Sequence, residues 1–239
     1  MPDARTLTLT AAAGAAAAGA AWSVPALAPI AAPVASALGV ARRIQAPGGV
    51  AVTFDDGPHA QGTPAVLEAL REAGAVATFF LVGEQVDRRP ALAAEIVAAG
   101  HAVALHGHRH RTLLRLRPST VADDLDRGHA AIAEATGVAP AVHRPPYGIY
   151  SPPGLRLVRE GGWTPLLWSR WGHDWARRAT PASIARDVTE QLDAGDVLLL
   201  HDADDYSVPG CWRATAAALP EILGRIAARG LNTVTAGSL

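Results

Sequence analysis

Residues 50–58 read Val50-Ala51-Val52-Thr53-Phe54-Asp55-Asp56-Gly57-Pro58. An apolar, β-branched run that breaks at two carboxylates and a Gly-Pro pair describes a buried strand ending abruptly in a turn. A strand without polar alternation is covered on both faces, the condition of a parallel sheet wrapped by helices. The rest of the chain repeats the pattern. Further strand-like runs fall at 76–82, 102–105, 141–143, 164–168, 197–200 and 232–235. Amphipathic stretches lie between them. One is opened by Thr63-Pro64 and runs to 73, with proline in the favoured first turn. A second spans 119–136 with Ser119 as its expected N-cap, and a third runs from Thr180-Pro181 to 194–195. Seven strands, each followed by a helix or loop, predict a parallel sheet with right-handed crossovers. About 190 residues are too few for an eight-unit barrel of ~250, which leaves an incomplete barrel or a doubly wound sheet. No internal repeat is evident.

Composition narrows the function. Of 239 residues, 21 are basic and 22 acidic, and every basic residue is arginine. That balance provides no basic stripe for nucleic acid, so no nucleic-acid partner is expected. A hydrophobic content of 49% excludes an acidic disordered chain. Cys211 is the only cysteine, which rules out an intrachain disulfide and any multi-thiolate zinc site. A metal would have to be held by His, Asp or Glu, and nine histidines are present.

The chain divides into an alanine-rich apolar segment, 1–43, and a domain, 44–239. No charge occurs from Thr6 to Ala41, and 16 of the first 40 residues are alanine. This exceeds the ~20 residues that cross a bilayer, although Pro25, Pro29 and Pro33 limit the best helical portion to 6–24. It reads as an export signal or membrane anchor, cut near Ala26-Leu27-Ala28 if cleaved, or as a helix lying against the domain. Membrane association through 6–41 and a place in the cell envelope follow from the first reading. Arg42 and Arg43 after the apolar run would instead keep an uncleaved span's domain in the cytoplasm.

Chemistry-bearing residues gather at the C-terminal ends of the expected strands, where ligand sites of α/β folds lie. Asp55 and Asp56 end the first strand and His106-Gly107-His108-Arg109-His110 the third. Arg144-Pro145-Pro146-Tyr147-Gly148 follows the fourth, His173-Asp174-Trp175 the fifth, and His201-Asp202 the sixth. Adjacent carboxylates in an extended segment point to opposite sides, so one could meet a metal while the other faces substrate. His106 and His110, four apart, share one face of a helical turn and could chelate one ion with Asp56. Gly107 stands where a zincin needs Glu. The competing reading is a solvated His/Arg-rich loop, with His108 as surface or cleft lining. His201 follows a buried apolar strand, and Asp174 nearby would raise its pKa and suit it to general acid work. Asp202, Asp204 and Asp205 read as a solvated turn.

Thr53-Phe54-Asp55-Asp56-Gly57-Pro58 resembles the signature of the polysaccharide deacetylase family (carbohydrate esterase family 4), and five motifs occur in that family's order across residues 48–239. The resemblance implies a distorted (β/α)7 barrel of parallel strands. It also implies metal-dependent hydrolysis that removes N-acetyl groups from amino-sugar polymers such as chitin or peptidoglycan, with zinc the default ion and Co2+, Mn2+ or Ni2+ alternatives. By the same resemblance Asp55 is the catalytic base; Asp56, His106 and His110 are the metal ligands; Arg144 positions the base. Tyr147 supplies a backbone N–H to the oxyanion, Asp174 and Trp175 tune the acid and wall the cleft, Leu199 lines the acetyl pocket, and His201 is the general acid. Two positions depart from the pattern. Gly107 replaces the usual Ser or Thr, losing a hydroxyl that steadies the loop, and Trp171 stands where Asp is common. Three rivals are a non-haem iron oxygenase, which would consume dioxygen, a deformylase or deacetylase of a lipid-linked sugar, and a non-catalytic sugar-binding module, which would bind saccharide without releasing acetate. Of the six tryptophans, Trp168, Trp171 and Trp175 are expected near the cleft, with Trp212 joining them.

Overall fold

A computed structural model describes residues 22–237. The strands are β1 (Gly49–Asp55), β2 (Thr78–Leu81), β3 (Ala102–Leu105), β4 (Val142–His143), β5 (Thr164–Pro165), β6 (Arg170–Trp171), β7 (Val197–His201) and β8 (Asn232–Thr233). They form one curled sheet in the order β5-β4-β3-β2-β1-β7-β6, with β8 also on β1. Every named ladder is parallel. Helices α1 (Ala32–Ala37), α2 (Gly62–Glu72), α3 (Gly83–Arg88), α4 (Pro90–Ala98), α5 (Pro118–Thr136), α6 (Pro152–Glu160), α7 (Pro181–Thr189) and α8 (Cys211–Ala228) cover it. This is the incomplete parallel barrel the sequence implied.

β1 is its axis. All seven of its residues are buried, which explains the absence of polar alternation in residues 50–54. Its upper half pairs on one side with β7 (Asp55 opposite His201) and on the other with β2 (Asp55 opposite Phe80). The expected base and the expected acid are therefore direct neighbours across one ladder.

The barrel differs from the sequence expectation in its strand count. The predicted strand 164–168 forms a ladder with β4 only at Thr164–Pro165, and a separate strand, Arg170–Trp171, joins β7. Pro165 has no N–H to extend a ladder. The carbonyls of Leu166 and Leu167 turn to the Arg144 guanidinium. Nothing pairs β5 with β6, and residues 41–44 strap the opening. Ala41 bridges Leu166, Arg43 bridges Asp196, and the Ile44 N–H donates to the Gly195 carbonyl at 2.9 Å. The strand predicted over 76–82 contracts to Thr78–Leu81.

Helix starts follow proline more than polar caps. Pro90, Pro118, Pro152 and Pro181 open their helices, so Arg117 is the N-cap of α5 and Ser119 lies inside it. The third expected helix ends at Thr189, before Gln191 adopts φ 55°. Before the strap, residues 24–27 form a 3₁₀ turn and α1 follows, with Ala28 and Ala35 buried against the domain. Most of the expected apolar helix over 6–24 lies outside the described residues. Among the described residues no helix is long and apolar enough to cross a membrane.

Candidate active site and metal centre

A cavity of about 700 Å³ opens at the C-terminal edge of the sheet and brings together Asp55, Asp56, His106, His110, Tyr147, Trp175, Leu199 and His201. Five chain-distant segments meet there because parallel strands all end at the same edge.

β1 ends at Asp55, and Asp56 follows with φ 81°, the left-handed region that side-chain-bearing residues rarely adopt. The two carboxylates therefore separate through a left-handed turn at Asp56, not through the strand alternation expected from the sequence. Asp56 Oδ1 lies 3.5 Å from His106 Nε2 and 3.2 Å from His110 Nε2, and the three ligand atoms lie within 4.8 Å of one another. That oxygen is buried and has no hydrogen-bond partner among the described residues. The three ligand atoms cluster without hydrogen-bonding one another, the spacing of donors around a cation site, and two imidazoles with one carboxylate suit a divalent transition ion. Burial pushes the Asp56 carboxyl up, but the His106 and His110 rings override it and hold the group well below the usual carboxylate range. Residues 106–110 form an irregular loop, not the helical turn predicted. Gly107, at φ 80°, folds the chain so that the two rings approach to 5.4 Å between centroids.

The His106 Nδ1–H donates to the Arg144 carbonyl at 2.8 Å, which fixes its Nε2 toward Asp56. Arg144 is wholly buried. Its Nη1 donates to Asp55 Oδ1 at 2.6 Å and to Thr53 Oγ1 at 2.9 Å, and its Nη2 to the Leu167 carbonyl at 3.0 Å. Phe80 lies against the guanidinium at 3.8 Å. Such a cation has one available pose, and that pose presents Asp55 to the cavity. Tyr147, 57% exposed, sits at φ 61° on the rim and sets its ring edge against His110.

On the β7 side of the cavity, Asp174 is fully buried and accepts from the His201 ring at 2.9 Å, the His201 backbone N–H at 2.6 Å and Thr215 Oγ1 at 2.8 Å. With Nδ1 committed to Asp174, Nε2 of His201 is the atom left for chemistry. Burial alone would lower the His201 pKa, but the Asp174 charge and hydrogen bond outweigh it and push it up to about 10. Asp174→Asn should return that pKa toward or below the ordinary value, moving the alkaline limb of the kcat/KM profile to lower pH. The stabilisation linked to protonated His201 is complete below pH ~6.5 and is lost as pH rises through about 10. Urea unfolding of the metal-stripped proteins should show the wild-type advantage over Asp174→Asn shrinking across that window. An advantage constant from pH 6 to 10 would refute the coupling.

Several residues are not where the sequence placed them. Asp202 is buried at 0% exposure beneath Gly57 and hydrogen-bonds Thr63 instead of lying in a solvated turn; burial pushes its carboxyl up to about 7. His108 lines neither surface nor cavity, being 4% exposed with its ring against Arg127. Trp168 and Trp175 reach the cavity, whereas Trp171 and Trp212 do not line it. A second group, His59 with Asp204 and Asp205, also has ligand spacing. His59 Nδ1 accepts the Gly62 N–H, so Nε2 of the neutral ring carries the proton, 3.3 Å from Asp204 Oδ1. That tautomer has no lone pair left for an ion.

Asp124, missed in the sequence, secures the ligand loop: it accepts from the His108 N–H at 2.9 Å and from Arg111 Nη2 at 2.9 Å. The available signal was a carboxylate set in the buried stripe Val121, Leu125, Gly128 and Ile132 of α5. The stripe also supplies Gly128, where a Cβ would stand 2.7 Å from the Gly107 backbone.

The profile of the polysaccharide deacetylase family matches residues 43–166. A peptidoglycan-N-acetylglucosamine deacetylase of Bacillus cereus is 34% identical over 80% of this chain and 87% of its own length. A chitooligosaccharide deacetylase of Azorhizobium caulinodans is 32% identical over 82% of this chain and 96% of its own. A solved peptidoglycan N-acetylglucosamine deacetylase, in complex with an N-hydroxybenzamide, superposes with a TM-score of 0.78 at 27% identity, covering 83% of this chain and 91% of that one. The curled parallel barrel, the aspartate pair closing β1 and the extent of these matches agree, and the chain belongs to the polysaccharide deacetylase family.

Proposed function

We propose that this protein removes N-acetyl groups from an amino-sugar polymer of the cell envelope, peptidoglycan or chitin type, releasing acetate, with zinc at the Asp56, His106 and His110 centre. One observation carries the reading: a buried carboxylate, a three-donor cluster with metal-ligand spacing and a carboxylate-backed histidine line one cavity. The relatives named above act on peptidoglycan N-acetylglucosamine and on chitooligosaccharide. An oxygenase has no use for the second carboxylate or the distal acid. A binding module would not need the base, the metal donors and the acid together.

A divalent ion at the centre would polarise the acetyl carbonyl and lower the pKa of water. Asp55, held by Arg144, takes a proton from the attacking water as the C–O bond forms. The Tyr147 N–H faces the developing oxyanion. His201 Nε2 then donates its proton to the sugar nitrogen as the C–N bond breaks, giving acetate and a free amine. Asp174, itself held by the Thr215 hydroxyl, keeps the imidazolium in place. Leu199, 3% exposed on β7, bounds the acetyl methyl. Leu199→Trp should lower kcat/KM for N-acetyl substrates by at least ~10-fold, by analogy with the cost of misfit in apolar pockets. Equal rates in a variant that melts normally would move the pocket elsewhere.

Residues 6–41 support a membrane-associated or exported protein. They carry no charge, and four of the exposed large apolar residues, Trp22, Val24, Leu27 and Ile30, fall there. The deciding experiment is acetate release from N-acetylglucosamine oligomers and from N-acetylated peptidoglycan, with chelator and with zinc restored. Chelator-sensitive release that zinc restores is expected. Metal binding without acetate from either substrate would overturn the substrate assignment and favour a lipid-linked or formylated sugar.

A further inference from the structure

The two metal histidines are held differently. The His106 Nδ1–H is anchored on the Arg144 carbonyl. His110 Nδ1 is buried and has no hydrogen-bond partner among the described residues. Metal-binding histidines almost always donate that second N–H, and the donation sets the plane of the ring. A side chain at 107 cannot supply the acceptor here, because a Cβ on Gly107 would stand 2.9 Å from Asp124 Oδ2 at a backbone φ of 80°.

Aromatic rings surround His110 instead. Tyr206 lies parallel to it, with centroids 4.3 Å apart and planes 14° from each other, and the Tyr147 ring meets it edge-on at 4.6 Å and 65°. Tyr206 is itself tethered. Its hydroxyl donates to Glu84 Oε1 at 2.6 Å and accepts from Gln85 Nε2 at 2.9 Å, and Gln85 is 1% exposed at the start of α3. Tyr206 belongs to the loop between β7 and α8, which also lines the cavity through Ser207, Val208 and Pro209.

Resting on the metal-centre reading given above, we propose that Tyr206 is a positioning residue for the second metal histidine, stacking taking the place of the missing hydrogen bond. A parallel ring in contact blocks rotation of the imidazole about its Cβ–Cγ bond, so Nε2 stays aimed at the point shared with Asp56 and His106. The hydroxyl fixes the tyrosine but does not touch the histidine, so ring and hydroxyl can be separated.

The test uses the full chain and measures zinc affinity by competition with a chromophoric chelator, with melting of the metal-stripped proteins as the control for folding. Tyr206→Leu should weaken zinc by about 10- to 100-fold, the range seen when an orienting partner of a ligand is removed. Tyr206→Phe keeps the ring and should stay within about threefold of wild type. Wild-type affinity in Tyr206→Leu overturns the proposal. An equal loss in Tyr206→Phe overturns it too, since the hydroxyl tether and not the stack would then carry the effect. If the wild-type chain binds no zinc, the metal-centre reading falls and this inference falls with it. Zinc bound equally by all three proteins sinks the inference alone.

Discussion

Asp55→Asn should retain zinc and lose kcat by about 10²- to 10⁴-fold, the usual worth of a positioned general base. The substitution is nearly isosteric and leaves Asp56, His106 and His110, whose donor atoms define the centre, in place. The amide cannot accept a proton from water, and its oxygen can still take the hydrogen bond that Arg144 Nη1 gives to Asp55 Oδ1 at 2.6 Å. The loss should therefore appear in kcat and kcat/KM together, with KM little changed, because the missing interaction belongs to the transition state. Asp55 also balances the charge of a wholly buried arginine, so some stability will be lost as well. Metal content and melting temperature separate these effects. Turnover near the wild-type rate in a folded, zinc-loaded variant would remove Asp55 from the role of base and leave Arg144 supporting architecture alone.

The parts legible in the sequence share one physical origin. A parallel barrel collects its strand ends at one rim, so a polar residue that follows an apolar run is already located in space. Asp55, Arg144 and His201 are of this kind. Their positions follow from the strands that carry them, and β1 with β7 sets Asp55 against His201 in direct register. What was illegible depends on contacts between distant segments or on single backbone angles. Nothing in Asp-Asp-Gly-Pro announces that Asp56 takes φ 81°, yet that angle aims its carboxylate at both imidazoles. Asp202 looked like one of several turn acids, but α2 reaches back with Thr63 and buries it. Thr215, on the last long helix, completes the environment of Asp174 from 41 residues away. The one strand outside every predicted range was missed for a related reason. A two-residue strand such as Arg170–Trp171 is defined by its neighbour β7, and two residues carry no periodicity to read.

His110→Ala should weaken zinc by more than ~100-fold, beyond the range for loss of an orienting partner, because it removes a donor and not its support. Asp56 and His106 would remain, and two protein donors do not close a site that three protein ligands normally define. The consequence can be read without any substrate. An ion bound only by the folded state stabilises it by RT ln(1 + [ion]/Kd), which is ~2.7 kcal/mol at 100 times the dissociation constant. At that same zinc concentration a variant weakened more than 100-fold gains less than ~0.4 kcal/mol. Wild type should therefore melt well above its chelated form, and His110→Ala should melt at nearly one temperature in zinc and in chelator. The Tyr206→Leu variant, with its donor present but unsupported, should fall between these two. If His110→Ala keeps the full zinc-dependent rise, the ion is not held by this ring, and the convergence of Asp56, His106 and His110 on one point would be a packing outcome with no bearing on the chemistry.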